Sequence, residues 1–341
     1  MKKFDIKNYT ISDLENILTK KGQPEYRAKQ VISWLFKYGA GDFSAMTNLP
    51  KTLVHELESG FFVSSPKCAQ TNTSKDGTIK LLFCLDDSLY IETVVIPSKT
   101  RNTICLSTQA GCRFRCAFCA SGIKGFARNL SASEILNQIL YVRDTLKMSI
   151  TNYVFMGMGE PLDNYENLVK ALRTMNDENG LNIGARRITV STCGIVPAIK
   201  KLGDFKMQVN LSLSLHAVTD AKRDKLMPIN KRFPLKTVIH ALSDYVEQAK
   251  RIITLEYILI PGINDDPADA DDLARIAKIL RAKINLIPYS EVRGFKFKAP
   301  DRQALETFLN RVKGRHEHIT LRASKGKDIQ AACGQLAGEK L

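Results

Sequence analysis

From Thr103 onward the chain alternates short β-rich runs with longer amphipathic stretches, and this alternation constrains the fold more than any other feature. The runs are Ile104–Ser107, Tyr153–Met156, Ile188–Ser191, Val209–Leu215, Ile253–Ile260 and Ile284–Ile287. The stretch after the first opens with the capping box Ser131-x-x-Glu134 and sets Ile135, Ile139, Val142 and Leu146 along one helical face. Strand–helix alternation implies a parallel sheet, and six such units over roughly 190 residues predict a partial (β/α)6 barrel of the α/β class. In such a barrel the chemistry sits at the carboxyl ends of the strands, where the unusual segments of this sequence fall.

Two smaller regions precede the barrel. Residues 1–60 read as a small helical accessory domain, with Ala28, Val31, Ile32 and Leu35 at helical spacing and Pro50 closing the region. Residues 61–100 read as a β-hairpin extension, in which Ile79–Leu85 and Leu89–Ile96 flank the turn Asp86-Asp87-Ser88. The core is expected over 101–341. The apolar run Ile252–Ile263 is too short for a membrane span and contains Glu256. The amino terminus carries no secretion signal, so a cytoplasmic protein with no membrane partner is expected.

The chain has 50 Lys and Arg against 35 Asp and Glu, a formal charge of +15, and the natural partner of such a chain is a polyanion. A merely basic enzyme surface is the alternative. From Lys99 to Arg128 there are six cations and no acidic residue, and Lys222 to Lys236 holds six more opposed only by Asp224. Both stretches are solvated faces by default and phosphate contacts by hypothesis.

Four of the eight cysteines crowd between Cys105 and Cys119, which favours a metal or redox site over a disulfide framework. Cys112-Arg-Phe-Arg-Cys116-Ala-Phe-Cys119 places three thiolates on one loop, enough for three irons of a cubane with the fourth left open. A three-cysteine zinc site completed by a distant His is the rival reading. Gly157-Met-Gly159-Glu160-Pro161 offers close backbone approach and a carboxylate able to meet an ammonium, or simply a turn. Ser191-Thr192-Cys193-Gly194 and Ser214-Leu215-His216 add hydroxyls and an imidazole at the same rim, although a lone His is more often a satisfied core residue. Near the carboxyl end, Cys333 sits in a small-residue loop able to carry a thiol in and out of a pocket, or is a buried structural cysteine.

Together these segments closely resemble the RlmN/Cfr family of radical-SAM RNA adenine methyltransferases, over nearly the whole chain. The resemblance rests on Tyr26-Arg-Ala-Lys-Gln-Val, Ile91-Glu92-Thr93-Val94, Gln109-Ala-Gly-Cys112, Met156-Gly-Met-Gly-Glu160-Pro, Leu226-Met-Pro-Ile-Asn230 and Ala331-Ala-Cys333-Gly-Gln-Leu336. The chain departs from the family pattern at Tyr289-Ser290, where an Asn is usual, and at Gln330, where an Asp is.

The resemblance implies a 4Fe–4S cluster on Cys112, Cys116 and Cys119 and two molecules of S-adenosylmethionine (SAM) per turnover. It implies SAM contacts at Gly159, Glu160, Ser191, Ser214, Leu215, His216 and Asn285. It further implies that Cys333 takes a methyl group from one SAM, as a thiolate can. A second SAM is then cleaved at the open iron to a radical that removes hydrogen from the methylated Cys333. The resulting carbon radical adds to adenine, Glu92 takes the ring proton, and Cys105 attacks the Cys333 sulfur to form a Cys105–Cys333 disulfide and release the product, after which reduction resets the two thiols. The implied substrates are carbon 2 of adenosine in 23S ribosomal RNA and in tRNA. The implied partners also include an electron donor such as a flavodoxin or ferredoxin, with the enzyme a monomer. A carbon-8 methyltransferase of the same family and a noncatalytic, metal-stapled RNA-binding protein are the alternatives.

Overall fold

The computed structural model describes residues 3–338. A ten-stranded sheet organises the chain: β1 (Lys67–Thr73), β2 (Ile79–Cys84), β3 (Tyr90–Pro97), β4 (Asn102–Cys105), β5 (Asn152–Phe155), β6 (Ile188–Thr192), β7 (Asn210–Ser214), β8 (Thr254–Leu259), β9 (Lys283–Pro288) and β10 (Ile319–Leu321). The strands lie side by side in chain order. β1 to β4 pair antiparallel and β4 to β10 pair parallel.

The six strands read from the sequence are β4 to β9, and β10 is a seventh. It is three residues long with a single buried side chain, Ile319, so it carries no periodic signal. The extension likewise gains a third strand. β1 pairs with β2 but alternates exposed with half-buried residues, mostly polar, along an edge of the sheet.

Each parallel crossover contains a helix whose apolar face packs on the sheet. Ala132–Leu140 buries Ile135, Leu136 and Ile139, and its capping box closes as the sequence implies, with Glu134 N donating to Ser131 Oγ at 3.3 Å and Ser131 N to Glu134 Oε2 at 2.8 Å. Tyr165–Asn176, Val196–Asp204, Leu235–Ala249, Pro267–Ile279 and Arg302–Lys313 serve the later crossovers. Fully burying one such Leu or Ile stabilises the fold by about 1.5–3 kcal/mol, and truncating Leu172 or Ile135 to Ala would cost about 2–5 kcal/mol through the cavity left behind.

Three amino-terminal helices, Ile11–Lys20, Tyr26–Phe36 and Lys51–Gly60, form a layer of their own, with Ala28, Val31, Ile32 and Leu35 buried as their spacing requires. The layer docks on the Ala132–Leu140 helix. Lys7 Nζ donates to Asn137 Oδ1 at 3.0 Å, and Ser133 N donates to Asn8 Oδ1 at 2.9 Å. Burial draws the Lys7 ammonium down to about 8.

The two edges of the sheet, β1 and β10, do not pair, so the barrel is partial. The segment 322–338 leaves β10 and crosses to the opposite edge. There Lys325 Nζ donates to Pro97 O at 2.8 Å, Gly326 N to Asp76 Oδ2 at 2.9 Å and Ser74 Oγ to Asp328 Oδ1 at 2.6 Å.

Candidate active site

The cysteine loop 112–119 emerges beyond β4 from a small antiparallel ladder, Gln109–Gly111 against Phe126–Asn129. Gly111 has φ 75°, and a Cβ there would lie 1.8 Å from Gly125 O, so the ladder closes only around a glycine. Cys112 N donates to Gly125 O at 3.0 Å, Ala117 N to Leu226 O at 2.9 Å and Ala120 N to Gly334 O at 2.7 Å. These bonds hold the loop at the carboxyl ends of the parallel strands.

Beyond β5, Gly159 has φ 95° and lies so close to Gln109 that a Cβ would stand 2.5 Å from that side chain. Gln109 Oε1 accepts from Glu160 N at 2.9 Å. The buried Glu160 carboxylate accepts from Leu162 N at 3.2 Å and from Cys193 N at 2.8 Å, joining the ends of β5 and β6. Burial raises its pKa, an effect that these amide donors oppose. Ser191 Oγ and Ser214 Oγ lie 3.3 Å apart at the ends of β6 and β7. His216 is buried, accepts at Nδ1 from Ile258 N at 3.1 Å and meets the Phe118 ring edge-on at 4.9 Å. Burial drives its pKa down to about 3, so the ring is neutral.

Cys112, Cys116, Cys119, Glu160, Ser191 and Ser214 line one cavity of about 140 Å³, to which Gly159, His216, Cys193 and Cys333 also contribute. Leu215 does not. Its side chain is wholly buried in the core, and its carbonyl accepts from Arg223 Nε at 3.2 Å. The three loop thiols are free, and burial raises the pKa of each, that of Cys112 to about 12.

This donor set fits a 4Fe–4S cluster, because three free thiols on one cavity could each hold a different iron, and Glu160 and the two serines line the same cavity. A mononuclear zinc site needs its ligands drawn around one point. Among the described residues no three His, Cys, Asp or Glu side chains, the loop cysteines included, are drawn around a single point.

A second cavity, of about 950 Å³, runs along the barrel interior. Cys105, Cys333, Glu256, Asn285 and Arg322 line its inner part, and Arg101, Lys250, Arg251 and Lys283 line it near the amino ends of the strands. Asn285 Nδ2 donates to Glu256 Oε1 at 3.1 Å. Cys105 and Cys333 are separate free thiols, and burial, followed by the proximity of Cys333, pushes Cys105 up to about 12.

Glu92 lies elsewhere. Its Oε1 pairs with Lys80 Nζ at 3.0 Å, with both side chains buried, and its Oε2 accepts from Ala337 N at 2.6 Å and Gly338 N at 2.9 Å. The carboxylate lines neither cavity.

Several cations of the two basic stretches are engaged within the chain. Arg113 pairs with Asp163 at 2.8 Å and lies over the Phe126 ring, and Arg128 is clamped between Asp87 and Glu134. Lys222 bridges Asp266 and Asp269 at 2.6 Å each, and Arg223 is wholly buried. The four cations at the amino ends of the strands form no ion pair among the described residues. Sequence reasoning also passed over Arg322 and Glu256. Glu256 had a visible signal, a charge within the apolar run of β8, whereas Arg322 follows the strand that the sequence did not reveal.

A partial parallel barrel with a CxxxCxxC loop at its carboxyl face defines a radical-SAM protein, and a model of the radical SAM superfamily matches residues 106–274. A model of the ribosomal RNA large subunit methyltransferase N-terminal domain matches residues 4–63. A radical SAM methyltransferase from Sphaerobacter thermophilus superposes with a TM-score of 0.92 at 40% identity, covering 98% of this chain and 100% of that one. The dual-specificity RNA methyltransferases RlmN of Pelobacter propionicus and Geobacter sulfurreducens are each 43% identical to this chain. They cover 99% and 98% of it, over 96% and 92% of their own lengths. The chain belongs to the RlmN family of radical-SAM, SAM-dependent RNA methyltransferases. No helix among the described residues is long and apolar enough to cross a membrane.

Proposed function

We propose that this enzyme methylates carbon 2 of adenosine in 23S ribosomal RNA and tRNA, with Cys333 as the methyl carrier and Cys105 as the thiol that releases the product. The observation that carries this reading is that Cys105 and Cys333, far apart in sequence, open into one cavity. That cavity lies between the cysteine loop and a set of cations suited to phosphate. Cys112, Cys116 and Cys119 would hold the 4Fe–4S cluster. With SAM it supplies a hydrogen-abstracting radical, and the reading takes two SAM per turnover.

The chain's own groups do the rest. Gly159, Glu160, Ser191, Ser214, His216 and Asn285 would offer SAM its polar contacts, and Leu215 would act behind them, its N–H and carbonyl bonded to Glu256 O and Arg223. The buried, high-pKa Cys105 stays a thiol until the adduct forms, so it does not compete for the first methyl group. For Glu92 to take the ring proton, the Ala337 and Gly338 amides must first withdraw from it. Residues 1–60 would grip RNA as an accessory domain and 61–100 would extend the sheet of the 101–341 core. A flavodoxin or ferredoxin would supply electrons, and the enzyme would act as a monomer in the cytoplasm.

Mass mapping of 23S ribosomal RNA and tRNA treated with the reconstituted enzyme, SAM and a reductant tests the reading. Methyl label on adenine carbon 2 is expected. Label on carbon 8 would replace it with the other regiochemistry, and unlabelled RNA would overturn it.

A further inference from the structure

Arg223 has no exposed surface, and no carboxylate pairs with its guanidinium among the described residues. Its four contacts are neutral oxygens. Nη2 donates to Cys193 O at 2.7 Å and Ser214 O at 3.3 Å, Nε to Leu215 O at 3.2 Å and Nη1 to Asn230 Oδ1 at 2.9 Å. Asp220 and Asp224 stand one amide further away, accepting from Asn230 Nδ2 at 2.9 and 2.8 Å. A buried cation satisfied only by carbonyl dipoles remains costly unless an anion comes near.

The anion has an evident place. Arg223 lies on the short helix Asp220–Leu226, and the carbonyl of Leu226 accepts from Ala117 N within the cysteine loop. Its other partners, Cys193 and Ser214, line the same cavity as Cys112, Cys116 and Cys119. The guanidinium therefore braces backbone that lines the thiol cavity, and its charge reaches Cys116 among the three thiols.

We propose that Arg223 is a positioning residue that acts as the fixed counter-charge of the iron–sulfur cluster, raising its reduction potential while bracing the rim formed by Cys193, Ser214 and Leu215. This rests on the reading that the three cysteines carry that cluster. Three thiolates make the loaded loop anionic and reduction adds a further electron, so a nearby fixed cation favours the reduced state. Net charge and hydrogen bonding near the sulfurs are levers on the potential of such clusters. Buried charge acts strongly there, because little water screens it.

The test uses the full-length reconstituted protein. Iron and sulfide content with cluster absorbance are measured first, and a wild-type protein that holds no cluster would sink the reading of the triad instead. With the cluster present, reductive titration followed by the electron paramagnetic resonance of the reduced form compares wild type with Arg223→Gln, Arg223→Lys and Asp224→Asn. Arg223→Gln is expected to lower the ratio of reduced to oxidised cluster at fixed potential about tenfold, ~59 mV for a one-electron couple. Arg223→Lys keeps the charge and should stay near wild type, whereas Asp224→Asn removes a neighbouring negative charge and should shift the ratio upward. A wild-type ratio in Arg223→Gln, or an equal fall in Arg223→Lys, would overturn the inference. Should Arg223→Gln fail to fold, Asp224→Asn decides: an upward shift supports the counter-charge and an unchanged or lower ratio refutes it.

Discussion

The loop that carries Cys112, Cys116 and Cys119 and the segment 322–338 that carries Cys333 face one cavity, but they are fastened differently. The loop grows from a ladder whose partners are close in sequence, such as Gln109 with Asn129, 20 positions apart, and only its far end is tied to distant residues, Ala117 N to Leu226 O and Ala120 N to Gly334 O. The segment is fastened across the open barrel by polar contacts to residues 228 to 254 positions earlier, through Pro97, Glu92 and Ser74 among others. Local contacts close cheaply in entropy and form with the barrel, whereas distant ones cost more chain order and form late. One wall is thus a seat built next to the parallel sheet, and the other is an arm laid across its open side.

The largest effects come from the thiols on the two walls. Cys116→Ala should lose both iron and methylation, and Cys112→Ala and Cys119→Ala should behave alike. Cys333→Ala should abolish methylation at wild-type iron content, and Cys105→Ala should accumulate an RNA adduct that survives denaturation and disappears with nuclease. Iron loss in Cys333→Ala would break the division between seat and arm.

Glu92→Gln removes one partner of a buried ion pair and should cost about 3–5 kcal/mol in urea denaturation. Limited proteolysis should then cut within 322–338 while the iron content holds. Cleavage at the cysteine loop instead would reverse the contrast between seat and arm.

Gly111→Ala should cost about 1–3 kcal/mol from its left-handed backbone alone, with the overlap on Gly125 O adding to this, and should weaken iron retention. Unchanged iron retention would show that the seat does not depend on the ladder.

His216 gives the fixed wall an acid dependence. Its folded pKa of about 3 lies below the ordinary value of 6.5, so below pH 6.5 the unfolded chain takes a proton that the folded one refuses. Its contribution is complete above pH 6.5 and is lost as pH falls towards 3, with a slope of at most about 1.4 kcal/mol per pH unit. His216→Asn should flatten that part of the stability profile, measured by denaturant titration at several pH values.

The smallest effect falls outside both walls. Arg101→Ala should weaken RNA binding similarly for all sequences and reduce its salt slope by about 1. An unaltered slope would move the phosphate path away from this end of the barrel.

The sequence by itself determined the parallel strands β4 to β9, the Ser131 capping box, and the presence of three thiols, a carboxylate and hydroxyls at the strand ends. These are signals of short range, in which spacing along the chain equals position on a face. Only the tertiary structure decided which charges meet. Arg113, Arg128 and Lys222 read as free cations until their carboxylates arrive from other parts of the chain, and Arg223 reads as surface until the helix Asp220–Leu226 turns it inward. Glu92 reads as an available base until 337–338 close over it. Cys105 and Cys333 come to one cavity because 322–338 cross the open side of the barrel, an arrangement set by long-range packing and not by any local period.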